Sequence, residues 1–139
     1  MVIIKKITVN EDKCTGCRIC ELVCSVKNDG IYNPELSRII KLVNGLPENL
    51  STIVCQQCPD APCIKNCPVD AIYSDDENGV VKIDLDKCIG CKKCVQTCPY
   101  DAMMFNEKKK KSFKCEFCGS EPACIKKCPT NAISVLNYW

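Results

Sequence analysis

Sixteen cysteines fall into four groups of four along the 139 residues of this chain. Group one is Cys14, Cys17, Cys20 and Cys24, and group two is Cys55, Cys58, Cys63 and Cys67. Group three is Cys88, Cys91, Cys94 and Cys98, and group four is Cys115, Cys118, Cys124 and Cys128. Each group opens with a gap of two residues and closes with a gap of three; only the middle gap varies, as two, four, two and five. The repeat extends past the thiols. "DKCTGC" at 12–17 recurs as "DKCIGC" at 86–91, and the last cysteine is followed by "PVDAI", "PYDAM" and "PTNAI" in groups two, three and four. Group one closes on Ser25 instead of proline. A repeat this regular constrains the architecture before any other signal does.

So many cysteines in a short secreted chain would indicate disulfides. The opening "MVIIKKITVN" has no long apolar run, small-residue cleavage site or twin arginine, and no stretch approaches the ~18–20 apolar residues of a membrane span. The reading is a cytoplasmic protein without a membrane span, and in a reducing compartment clustered thiols point to metal. There is no histidine. That removes histidine-ligated zinc, Rieske centres, histidine-ligated haem and histidine general bases together. The formal charge of +2 counts thiols as neutral. Thiolate-bound clusters would make the loaded protein acidic, so the lysines read as neutralising charges and not as a nucleic-acid footprint.

A cubane cluster needs four thiolates at the corners of a tetrahedron, and one C-x2-C-x2-C loop can wrap three of them. The fourth cysteine of such a run, three residues further along a short helix, points to a different cluster. Zinc knuckles separate their two C-x2-C pairs by a dozen residues or more, and here the third thiol follows too soon. Between the groups lie short strand-like segments: "RIIKLV" at 38–43 running into Asn44-Gly45, "VVKIDL" at 80–85 after "ENG", and "AISVL" at 132–136. No long helix is expected. Ile72, Ile83, Met103 and Ile133 read as core, and Gly16, Gly90 and Gly119 either admit the backbone close to sulfide or simply serve turns.

Over nearly its whole length the chain resembles the four-cluster ferredoxin-like electron-transfer subunits, the small iron-sulfur chains of dimethyl sulfoxide reductase, formate dehydrogenase, formate hydrogenlyase and carbon monoxide dehydrogenase systems. The resemblance implies an α+β fold of tandem bacterial two-cluster ferredoxin modules, one inserted in the other, with short strands and helices around four 4Fe-4S clusters. Residues 55–98 form the inner module, and 1–54 plus 99–139 the outer one with its insertion at 25–54. The length and order of groups two and three independently suit a complete two-cluster unit. Carried over residue by residue, one cluster takes Cys14, Cys17, Cys20 and Cys128, and its neighbour Cys115, Cys118, Cys124 and Cys24. The inner pair takes Cys55, Cys58 and Cys63 with Cys98, and Cys88, Cys91 and Cys94 with Cys67.

The function expected is a wire and not an enzyme in its own right: no P-loop, no GxGxxG after a strand and no acid-base pair is visible. A globule of this length has a radius of gyration of roughly 14 Å, so four clusters inside it lie within hopping distance. A structural protein stapled by its clusters is the alternative of another class, although one or two clusters would suffice for that. "CTGCRICELVCS" followed by "GIYNPELSRI" looks most like the small subunits of tungsten- or molybdenum-dependent aldehyde oxidoreductases. Formate dehydrogenase, hydrogenase and carbon monoxide dehydrogenase subunits and a free polyferredoxin remain open. Resemblance implies a large catalytic partner with a pterin metal site, a ferredoxin or flavoprotein as second redox partner, and scope for end-to-end self-association. The insertion reads as a hairpin over the outer clusters, Tyr138-Trp139 as the end of a strand folded back, and "NEKKKKSFK" at 106–114 as a solvated hairpin turn or a steering patch for an acidic partner. Ser25 is expected to mark a surface specialised for a partner.

Overall fold

Three of the four repeats end their helices at the same residue for the same reason. The computed structural model describes residues 4–43, 50–77, 79–119 and 121–138. In it, α2 (Pro62–Asn66), α3 (Lys93–Thr97) and α4 (Ala123–Lys127) each stop one residue before the group's last cysteine. Cys67, Cys98 and Cys128 are extended there, with ψ near +116°. A following proline excludes the helical conformation from the residue before it, and each of these cysteines precedes one. Group one has Ser25 in that position, and α1 (Ile19–Asp29) runs on through Cys24 for 11 residues until Gly30, at φ 76°, caps it with an N–H bond to Val26 O. The expectation of uniformly short helices is corrected here: without the proline nothing stops the turn.

The "P-x-D/N-A" tail of the repeat has a conformational meaning. Asp70, Asp101 and Asn131 all adopt the left-handed conformation, at φ 54°, 53° and 54°. Asp and Asn tolerate that region better than other side chains. The alanines that follow, Ala71, Ala102 and Ala132, are almost wholly buried.

Among the described residues eight strands pair in four antiparallel two-stranded ladders. β1 (Ile4–Val9) joins β8 (Ile133–Tyr138) with Val9 opposite Ile133, so the two ends of the described chain meet in one ladder. β2 (Ile39–Val43) pairs with β3 (Leu50–Val54) from the insertion, β4 (Ile72–Ser74) with β5 (Val81–Ile83), and β6 (Met104–Asn106) with β7 (Lys111–Phe113). The strands at 38–43, 80–85 and 132–136 are thus present, trimmed or extended by a few residues. The Asn44-Gly45 turn, Asn78 of the "ENG" turn and Trp139 lie outside the described residues. Of the lysine run at 106–114 only residues 107–110 form the exposed turn of the β6–β7 hairpin; Lys111–Phe113 is β7 itself, and Ser112, Phe113 and Lys114 are buried.

Helices pack as α1 on α4 and α2 on α3. Two apolar clusters result. One gathers Ile7, Ile39, Val54, Val80, Phe117 and Ile133; the other gathers Ala61, Ile72, Val81, Ile83 and Met103, and between them they hold the four core positions read from the sequence. Neighbouring Val80 and Val81 face different cores, as alternation along a strand requires.

Candidate metal centres

Four cavities, enclosing about 320, 380, 360 and 340 Å³ of space partly open to solvent, are each lined by four cysteines. The first has Cys67, Cys88, Cys91 and Cys94; the second Cys55, Cys58, Cys63 and Cys98. The third has Cys24, Cys115, Cys118 and Cys124; the fourth Cys14, Cys17, Cys20 and Cys128. Every set takes three thiols from one group and the last thiol from another. All sixteen are free of disulfides, and Cys17 and Cys91 alone among them are exposed. Among the described residues no three cysteine or carboxylate side chains converge tightly enough for a single metal ion. The donor set of each cavity is all-thiolate, with four cysteines to a cavity, which suits a cubane cluster.

The repeat tail builds one wall of three cavities. Ala71, Ala102 and Ala132 line the cavities that contain Cys67, Cys98 and Cys128 respectively. The left-handed Asp70 turns the Ala71 N–H back onto Cys67 Sγ at 3.3 Å. Around Cys128, burial alone would raise the thiol, but N–H groups of Ala132, Thr130 and Ile133 outweigh it and hold the thiol below its ordinary range. A larger side chain than alanine would stand where these cavities need space. Group one lacks this tail, and the insertion supplies the substitute: Arg38 N–H donates to Cys24 Sγ at 3.1 Å, with the Asn28 amide a further donor at 3.7 Å. Arg38 is itself fixed by Asp29 and by the Phe113 ring, 4.7 Å from its guanidinium. The insertion hairpin does cover the outer cavities, through Ile39 and Val54 at the third and Lys41 at the fourth.

Ser25 is fully buried, so its own side chain forms no surface, although it marks the point where the chain departs into the insertion. Its hydroxyl donates to Leu22 O at 3.0 Å and accepts from Asn33 N–H at 3.3 Å, tying α1 to the start of the insertion. Proline could do neither.

Burial raises six of the metal-free thiols. It pushes Cys20 and Cys63 up to about 11, and Cys115 and Cys124 up to about 12. Cys58 and Cys94 move the same way for the same cause. Two buried lysines oppose this. Lys41 lines the fourth cavity and bonds Glu11 at 2.9 Å as well as Thr52. Burial would lower its ammonium, but Glu11 and Cys14 hold it above the ordinary value. Lys114 lines the second cavity. Beside it Gln57, without exposed surface, donates to Cys115 O at 2.8 Å and accepts from Val81 N–H at 2.8 Å, while Glu116 accepts from Ile83 N–H at 2.7 Å. These side chains stitch β5 to group four. Cys94 also exchanges a hydrogen bond with Ser112 at 3.1 Å. No local pattern announces Arg38, Gln57, Ser112 or Lys114 in the sequence, because each has a partner 14 to 58 residues away.

The fold and site define an iron-sulfur protein of ferredoxin-like type. The 4Fe-4S dicluster domain family matches residues 48–137 and a 4Fe-4S binding domain matches 6–28. The chain is 38% identical over 122 residues to the polyferredoxin-like subunit of aliphatic sulfonate oxidoreductase from Pyrococcus furiosus, covering 88% of this chain and 70% of that one. It is 36% identical over 140 residues to the electron transfer subunit of thiosulfate reductase from Salmonella typhi, covering 89% and 71%. Among solved structures it resembles the BamBC active-site complex of benzoyl coenzyme A reductase, with a TM-score of 0.60 at 26% identity over 100% of this chain and 82% of the other. The chain belongs to the ferredoxin-like 4Fe-4S subunits of oxidoreductase complexes, it binds four 4Fe-4S clusters, and its work is electron transfer. No helix among the described residues is long and apolar enough to cross a membrane.

Proposed function

We propose that the chain is a linear conductor with its four clusters in the order of the cavities above. Cys67, Cys88, Cys91 and Cys94 would hold one end; Cys55, Cys58, Cys63 and Cys98 come next; then Cys24, Cys115, Cys118 and Cys124; and Cys14, Cys17, Cys20 and Cys128 the other end. The observation that carries this is the coincidence of four thiols with each of four cavities. The order rests on packing. α2 and α3 carry or cap at cysteines of the first two sets, α1 and α4 at those of the last two, and Gln57 bonded to Cys115 O joins the middle sets. Cys55 and Cys24 both bear electrostatically on Cys115, as a middle position demands. Bound there, each cluster supplies one-electron outer-sphere transfer, which needs no acid, base or nucleophile from the chain. The residues contribute spacing, which governs hopping, and N–H donors to sulfur, nearby charge and exclusion of water, which set potential.

The same packing supports two nested modules, 55–98 within 1–54 plus 99–139, with β1–β8 and α1–α4 in the outer one. We assign the two ends to different partners in a reducing, cytoplasmic setting: a large catalytic oxidoreductase subunit, best read as a tungsten or molybdenum pterin enzyme acting on aldehydes, and a ferredoxin or flavoprotein. The Pyrococcus furiosus relative, itself named as an oxidoreductase subunit, favours this over a free carrier. End-to-end association of copies fits the same geometry. Replacing Cys24 with serine should perturb the cluster otherwise bound by group four and leave the Cys14 set intact in electron paramagnetic resonance; the reverse outcome would refute the ligand assignment. Anaerobic purification of the native protein should bring down the large partner, and a fully active isolated monomer would count against the subunit reading.

A further inference from the structure

We propose that the face around Cys91 is the docking site for a small acidic electron-carrier protein. This rests on the reading that Cys91 belongs to a terminal cluster. The loop carrying Cys88, Ile89, Gly90 and Cys91 abuts the β6–β7 turn so closely that a Cβ at Gly90 would stand 2.5 Å from the Lys110 carbonyl oxygen. Lys92 crosses from the loop to Glu107 at 3.0 Å and lies over the Phe105 ring at 4.6 Å, while Lys111 Nζ bonds Cys88 O. Loop and turn therefore make one surface. It exposes Lys87, Lys92, Lys93, Lys108, Lys109 and Lys110 against only Asp86 and Glu107. At its middle stand exposed Cys91 and Ile89, the latter 62% accessible.

A small apolar centre within a basic rim suits brief encounters, in which charge sets the rate of association more than its strength. The opposite end is of another kind. Near Cys17, Arg18 is engaged by Glu21, and α1 with the segment after it exposes Leu22, Val26, Ile31 and Tyr32. Apolar surface of that sort belongs to lasting subunit contacts. At the Cys91 face one electron passes between the carrier's cofactor and the terminal cluster, one oxidised as the other is reduced, with no bond made or broken.

The test uses the full, cluster-loaded chain under anaerobic stopped flow with a chemically reduced acidic two-cluster ferredoxin. The wild-type rate should fall as salt rises. Combining Lys108→Glu, Lys109→Glu and Lys110→Glu should lower the low-salt rate by about tenfold or more and flatten its salt dependence, since steering contributes on that scale. Lys13→Glu, near the other end, should leave the rate unchanged. A triple variant as fast as wild type, or an equal loss with Lys13→Glu, overturns the proposal. So does a triple variant that keeps its rate but loses binding to phosphatidylserine vesicles, which would reassign the face to lipid. Iron content and the effect of Cys91→Ser on the cluster signals separate this failure from a failure of the ligand assignment: if Cys91→Ser disturbs no cluster, the assignment itself is wrong.

Discussion

Lys114 Nζ donates to the carbonyl oxygen of Cys115 at 2.8 Å, and this buried ammonium has only neutral acceptors, the other being Gln57 Oε1 at 3.5 Å. Among the described residues no carboxylate pairs with it. A buried charge with neutral partners alone is costly. The thiols supply the countercharge: after burial, Lys114 is the strongest influence on Cys63, and it also lowers Cys58 and Cys115. It lines the Cys55 cavity and adjoins a cysteine of the next one, so it stands between the two middle sets.

Removing that charge makes both middle clusters harder to reduce. Lys114→Met should lower their midpoint potentials by about 59 mV or more, a tenfold change for one electron, and Lys114→Arg should largely restore them. Redox titration followed by electron paramagnetic resonance reads this directly; potentials unmoved in the methionine variant would show that the lysine serves packing alone.

Ser25→Pro would install in group one the residue that the other three groups carry, and it should be the most damaging of the four repeat closures to exchange. Proline inside α1 removes a helical N–H and collides with the preceding turn, at about 3 kcal/mol or more. It also deletes the hydroxyl that bonds Leu22 O and Asn33 N–H. The expected result is a lower unfolding midpoint and selective weakening of the cluster that Cys24 serves. Serine introduced at Pro129 should be far milder, since Pro129 is exposed beyond the end of α4. Thermal unfolding and iron content of the two variants make the comparison.

How far the sequence could be read depended on how local each cause was. Cysteine spacing and the proline-terminated tail are short-range patterns, so the cubane chemistry, the short helices of groups two to four and core residues such as Ile72 and Met103 were all legible. Even the Ser25 anomaly was visible, but its meaning was not: a missing proline announces an altered turn without saying that the hydroxyl would be buried. Lys114, Gln57 and Arg38 act on sulfur and backbone far along the chain, and nothing next to them marks that. The β1–β8 ladder joins residues at opposite ends of the sequence, and β1 by itself, with Lys5, Lys6 and Thr8 among its six residues, does not announce its partner.

Gly90 and Gly30 share φ 76° but differ in surroundings, which lets strain and crowding be separated. A Cβ at Gly30 meets nothing within 4 Å, whereas at Gly90 it meets the Lys110 carbonyl oxygen at 2.5 Å. Gly30→Ala should cost only the left-handed penalty, about 1 kcal/mol. Gly90→Ala should cost a further ~1–3 kcal/mol because backbone must move, and the lysine turn should shift away from the Cys91 loop. Chemical denaturation of the loaded proteins would resolve the difference; equal losses would mean that the hairpin yields freely.

Cluster loading and the stability of the metal-free chain should respond to pH in opposite directions. Burial lifts Cys115 and Cys124 to about 12, from an ordinary value of 9.0. Below that ordinary value the thiols are protonated whether the chain is folded or not, and their contribution to the metal-free fold is fully present. As pH climbs from about 9 toward 12 the unfolded chain ionises first, so the metal-free fold loses stability across that window. Loading runs the other way, because ligation needs thiolates and each buried thiol must release a proton. Iron and sulfide uptake should therefore strengthen as pH rises from neutral toward 9, with protons released into a weakly buffered solution. Circular dichroism of the chelator-treated, reduced chain gives the first slope and reconstitution titrations give the second. A metal-free chain that gains structure above pH 9, or uptake that weakens between neutral pH and 9, would show that these thiols are not buried as the structure has them.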